Sequence, residues 1–130
     1  MKKNLFALLL LVGVVLSSCS KDTPKVFGCT DPTSVNYNPS ATDDNGTCQY
    51  EGNVTFWYDS NGTTATVNVA GETGYITQYY PTNNPSCGSS GCANFTLPVG
   101  SYSFTASSTF SNWSGTVTVT KNGCSLMLLQ

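Results

Sequence analysis

The chain has no histidine in its 130 residues and no arginine: its five basic residues are Lys2, Lys3, Lys21, Lys25 and Lys121. Without an imidazole, Ser-His-Asp and Cys-His activation of a nucleophile is closed, and the commonest zinc ligand is missing. Without arginine, and with a formal net charge of −2, no cation cluster exists to neutralise phosphates, so nucleic acid is not an expected partner. Charged residues make up 9% of the chain against a usual ~25%, so solubility must rest on Ser, Thr, Asn and Gly. No apolar run reaches the ~20 residues of a membrane-spanning helix, and no stretch keeps a helical period beyond a turn. The 7 Tyr, 6 Phe and 2 Trp supply too much apolar matter for a disordered chain. The hydroxyl side chains have no base at hand and the acidic groups are scattered, so the chain is not expected to be an enzyme.

The first residues are of a different kind. Lys2 and Lys3 precede an apolar run from Leu5 to Leu16, followed by two small residues and a cysteine. These are the parts of an export signal, and the run is too short to cross a bilayer. Leu16-Ser17-Ser18-Cys19 resembles the lipobox of bacterial lipoproteins. That resemblance implies a signal peptide over 1–18, cleaved just before Cys19, and acyl chains such as palmitate on the Cys19 thiol. Two or three chains give lasting anchorage where one would not. The expected address is the outer membrane, lipid-anchored, on its periplasmic or cell-surface face. Residues 19–27, polar and without periodicity, read as a tether.

With Cys19 taken by lipid, Cys29, Cys48, Cys87, Cys92 and Cys124 remain, and in an exported chain they read first as disulfide partners. The number is odd, so one thiol is left free or pairs outside the chain. Residues 28–50 are dense in turn chemistry (Asp31-Pro32, Asn38-Pro39, Asp44-Asn45-Gly46) and cannot bury a core of their own. A Cys29–Cys48 bridge is expected to close them, worth ~3 kcal/mol in the chain-entropy picture. Gly28, Cys29, Asp31, Asn36, Tyr37, Pro39, Ala41, Asp43, Asp44 and Cys48 make this segment resemble the short GCxDxxxxNYxPxAxxDDGxC modules of secreted and surface proteins of Bacteroidetes; the departure is Asn45 before Gly46. The resemblance implies an extracytoplasmic spacer or adhesion-associated module and carries no catalytic residue. Asp31, Asp43 and Asp44, with Asn45 and backbone carbonyls, could cage a calcium ion, although the same residues serve plain turns; no other cofactor is expected. Cys87-Gly-Ser-Ser-Gly-Cys92 lacks the paired spacing of a zinc site and reads as a hairpin-closing disulfide, with Cys124 able to replace either partner.

From 51 onward the rhythm is period two, broken by turn residues every 8–12 positions. Val54/Phe56/Tyr58, Ala65/Val67/Val69, Tyr75–Tyr80, Phe95/Leu97, Tyr102/Phe104/Ala106, Trp113/Val117/Val119 and Leu126/Leu128 predict seven short strands. The fold class is therefore all-β: a seven-stranded antiparallel Greek-key β-sandwich over 51–130, preceded by the small disulfide-closed irregular module over 28–50. Its expected core holds Phe56, Val67, Val69, Phe104, Val117, Val119, Leu126 and Leu128, with Trp113 in phase. Leu97-Pro98-Val99-Gly100-Ser101-Tyr102 is similar to the Leu-Pro-x-Gly-x-Tyr hairpin of prealbumin-like, carboxypeptidase-regulatory-type sandwiches, which supports the topology and says nothing of chemistry.

Trp57 falls on the polar phase of its strand, and Tyr75 and Tyr79 do the same if Ile76 and Tyr80 point inward. Exposed aromatic rings on a β-face stack on sugars; the alternative is that they pack under the 81–91 loop. Five Asn-x-Ser/Thr triplets, at Asn45, Asn53, Asn61, Asn94 and Asn112, read as composition effects. The expected function is that of a membrane-anchored, non-catalytic structural or adhesive module. The alternative is a carbohydrate-binding accessory protein of a glycan uptake system, with polysaccharide or a surface protein as partner.

Overall fold

The computed structural model describes residues 23–60 and 64–130; Cys19, the signal segment and residues 61–63 lie outside the described residues. The described residues form nine strands: β1 Phe27–Gly28, β2 Asp43–Asp44, β3 Glu51–Trp57, β4 Ala65–Val69, β5 Glu72–Ile76, β6 Ala93–Pro98, β7 Gly100–Ser107, β8 Asn112–Val119 and β9 Cys124–Leu128. β1 and β2 form a small parallel pair, so the 28–50 segment is not wholly irregular. The other strands make two facing sheets, a three-stranded one in the order β6-β3-β9 and a four-stranded one in the order β5-β4-β7-β8. The result is an all-β, sandwich-like fold. It departs from a purely antiparallel arrangement at one place: β9 runs parallel to β3, with Thr55 opposite Leu126.

The core lies between the sheets. Val54 and Phe56 of β3, Phe95 and Leu97 of β6, Val67 and Val69 of β4, Phe104 of β7 and Val117 and Val119 of β8 are all buried there. β-Branched valines and aromatics suit such a half-buried pleated surface. The Phe56 ring stands edge-on to Phe95 and Phe104, with centroids 5.8 Å and 4.8 Å away, the orientation that ring quadrupoles favour. Trp113 and Leu128 are only partly buried against this core, and Leu126 is 41% exposed. The parallel register explains Leu126, because pairing with Thr55 puts it on the outer face of its sheet.

Two connections differ from the sequence expectation. The Gly71 and Gly74 pair in the sequence suggests a turn between them, but the chain turns at Ala70-Gly71, both with positive φ (53° and 83°). That is the backbone a two-residue hairpin needs to match strand twist, and it lets β5 begin at Glu72 and end at Ile76. The Leu97–Tyr102 stretch is not a hairpin, since β6 and β7 belong to different sheets. Val99 marks a corner at which the chain crosses the sandwich: its N–H donates to the Tyr50 carbonyl, and the Tyr102 hydroxyl donates to the Pro98 carbonyl at 2.9 Å. Proline has no N–H to continue a ladder, and the clamp across the corner then turns the chain.

Gly52 marks the tightest approach between β3 and the β8–β9 turn. A Cβ there would meet the Thr120 carbonyl oxygen, and the Val119 Cγ1 at 3.0 Å. Gly52→Ala is expected to lower unfolding free energy by about 1–3 kcal/mol, read as a shifted urea midpoint with an unchanged slope.

Candidate functional site

The 28–50 segment is joined to the sandwich through Asp31. Its Oδ1 accepts from the Thr33 N–H and hydroxyl at 2.9 Å and 2.7 Å. Its Oδ2 accepts from the Tyr50 hydroxyl and from Lys121 Nζ, each at 2.7 Å. Lys121 also sits 3.8 Å from the centre of the Tyr50 ring, a cation–π contact. The ammonium of Lys121, then the Thr33 and Tyr50 donors, hold the Asp31 carboxyl well below the usual carboxylate range; Asp31 in turn raises Lys121. Nothing in the sequence pairs Asp31 with a lysine 90 positions away.

The three carboxylates weighed for calcium go to separate partners. Asp31 is engaged as above, Asp43 accepts from Lys25 Nζ at 2.7 Å, and Asp44 Oδ1 accepts the Gly46 N–H at 2.8 Å in a local turn. Among the described residues no group of three or more His, Cys, Asp or Glu converges on one point.

On the outer face of the three-stranded sheet the structure corrects two expectations. Trp57 is not displayed: it is 4% exposed, and Thr55 on the same face is fully buried. The segment 77–92 lies over this face as a strap. Its Gly88 N–H donates to Thr55 Oγ1 at 3.2 Å, Asn94 Nδ2 donates to the Ser89 carbonyl at 2.9 Å, and the Tyr80 N–H donates to the Tyr58 carbonyl at 3.0 Å. The strap is fastened by a disulfide between Cys87 and Cys124, not by Cys87–Cys92. Cys124 opens β9 beside Asn53, with its Cα 6.0 Å from that of Cys87, so the bond ties the strap to the sheet rather than closing a local hairpin. Cys29 is joined to Cys48. Cys92 is the free cysteine among the described residues and is buried; burial pushes its thiol up, a hydrogen bond with Tyr80 offsetting part of the effect. The Trp57 indole N–H is buried with no hydrogen-bond partner among the described residues.

Tyr75 is 61% exposed and Tyr79 38%, but neither joins Trp57. Tyr75 faces outward from β5, on the opposite side of the sandwich, and Tyr79 follows the end of that strand. The outer face around Tyr75 is ordered by register. One row runs Tyr75, Thr66, Ser107, Asn112 across β5, β4, β7 and β8; the next runs Thr73, Asn68, Thr105, Ser114. Further along β7 and β8 come Ser103 with Thr116 and Ser101 with Thr118. No charged side chain stands in these rows. The alternation of β4, β7 and β8 already signals outward hydroxyls, but the way they line up in rows depends on which strands pair.

No family model matches the chain, and no curated protein matches it. Among solved structures it is similar to a part of one described as the Bacillus anthracis TIE protein, at 13% identity and a TM-score of 0.40, over 62% of this chain and 16% of that one. The chain thus spans less than a fifth of that protein's length, and at this score the likeness assigns neither a family nor a function.

Two tests follow from this geometry. Non-reducing peptide mapping is expected to recover Cys29–Cys48 and Cys87–Cys124 as linked pairs, with Cys92 alkylated only after denaturation. The second concerns pH. The lowered Asp31 contributes stability that is complete above its ordinary value of 3.8 and is lost as pH falls through the depressed one. The raised Lys121 contributes below its ordinary 10.5 and loses that contribution only as pH climbs through the raised value. Between about pH 5 and about pH 1, the melting midpoint of Lys121→Gln should therefore fall less steeply than that of the wild type.

Proposed function

We propose that the chain is a non-catalytic interaction module displayed from the bacterial envelope by lipid on Cys19. The observation that supports it best is the outer face of the four-stranded sheet, a broad, uncharged surface of Thr, Ser and Asn side chains in register. A surface of this kind offers many neutral donors and acceptors and no general base, which suits adhesion or assembly better than chemistry. Two intramolecular disulfides favour an oxidising compartment, in keeping with the export signal. The compact sandwich and the module held to it by Asp31–Lys121 would act as a scaffold, with recognition on faces and loops.

The second reading, a carbohydrate-binding accessory protein of a glycan uptake system, loses Trp57 but retains Tyr75, the one aromatic ring in the ordered rows. The anchorage is tested by fractionation: Cys19→Ala should move the protein from the high-salt-washed envelope to the soluble fraction. Retention of the variant in washed membranes overturns lipid anchorage.

A further inference from the structure

We propose that a notch on the outer face of the four-stranded sheet binds a neutral glycan, laid across the strands between Tyr75 and the β7–β8 hairpin tip; this rests on the second reading above and moves its site away from Trp57. The notch has a volume of about 400 Å³ and lies between the ends of β7 and β8, lined by Thr105, Ala106, Ser107, Asn112, Trp113 and Ser114.

Unpaired polar groups line this part of the face, as Ser103 and Thr116 do farther along it. Beside it, Thr73 donates to Asn68 at 2.7 Å, and farther along Ser101 pairs with Thr118 at 3.2 Å. The side chains of Thr66, Thr105, Ser107, Asn112 and Ser114 have no such partner among the described residues. Hydroxyls and an amide donate and accept at once, which matches sugar hydroxyls, and the absence of charge in both rows favours a neutral ligand over an acidic one.

Exposed rings flank the unpaired groups. Tyr75 begins the row that passes through Thr66 and Ser107 to Asn112, and Phe110, 83% exposed, stands in the turn that joins Ser107 to Asn112. Phe110 is presented by a fixed turn: its N–H and that of Ser111 donate to Ser108 Oγ at 3.3 Å and 3.1 Å. Adjacent strands lie about 4.8 Å apart, so three spacings from β5 to β8 accommodate a short oligosaccharide rather than one sugar. The rows lack the apolar, aromatic centre that carries most of the energy of protein interfaces, which favours a sugar as the occupant.

The test is affinity electrophoresis of the full chain in detergent, through gels containing starch, mannan, xylan or arabinogalactan, with alginate as the acidic comparison. At least one neutral polysaccharide should retard the protein. Asn112→Ala and Tyr75→Ala should each weaken that retardation roughly three- to tenfold, with unchanged melting midpoints, while Thr118→Ala on the same face leaves it intact. Retardation by no neutral polysaccharide, retardation by alginate alone, equal retardation of both notch variants and wild type, or an equal loss in Thr118→Ala each overturns the site. Because membrane release of Cys19→Ala is independent of these gels, a failed glycan test leaves the displayed-module reading standing and removes only the ligand.

Discussion

From Val54 to Trp57 strand β3 has no solvent face, and the Cys87–Cys124 bond is central to how that is achieved. Phe56 and Val54 fill the space between the sheets, while Thr55 and Trp57 point the other way and are buried as well. A strand buried on both sides needs cover on both sides, and here the outer cover is a strap with little regular structure of its own. Closing its 37-residue separation contributes about 4 kcal/mol in the chain-entropy picture, and that is what allows a loop rich in Gly, Ser and Asn to serve as a lid. Thr55 is satisfied under it by Asn94 and Gly88. The Trp57 N–H is not, at a cost of about 1–3 kcal/mol, which burying most of an indole offsets.

The same strand holds the small segment in front of it. Glu51 begins β3 directly after Tyr50, and Tyr50 is held by Asp31, by Lys121 stacked on its ring, and by the Val99 N–H on its carbonyl. The 28–50 segment buries little besides Gly28, Cys29 and Ser34, so its shape comes from the Cys29–Cys48 bond and from turns, and its placement from this charged contact. The four-stranded sheet, in contrast, has no such strap among the described residues, and its outer face presents rows of Thr, Ser and Asn side chains.

Much of the fold was legible because most strands have one wet face. β4, β6 and β7 alternate buried and exposed residues as their sequences alternate apolar and polar ones, and the register of a half-buried strand is pinned by that alternation. The rule failed where its premise failed. On β3 the polar phase signals solvent, but a strap covers it, and of the two readings open for Trp57 the structure takes the one in which the ring packs under the 81–91 loop. On β9, the period-two reading places Leu126 and Leu128 in the core, but pairing with β3 turns Leu126 outward and leaves Leu128 only partly buried. The candidate site was legible only in part: Tyr75 could be found by phase, but Ser107 and Asn112 are ordinary residues until the sheet sets them beside it.

What the sequence determined by itself is what depends on near neighbours: an all-β chain, its turn-rich front segment and the cysteine pair that closes it, and the absence of histidine-based chemistry. These follow from local propensity and composition, which each stretch carries with it. The tertiary structure decided which cysteine faces Cys87, which face Trp57 shares, that Lys121 reaches Asp31, and which hydroxyls are left without partners. Each is a contact between residues far apart in the chain, and such contacts exist only once loop closure and strand order have brought the distant segments together.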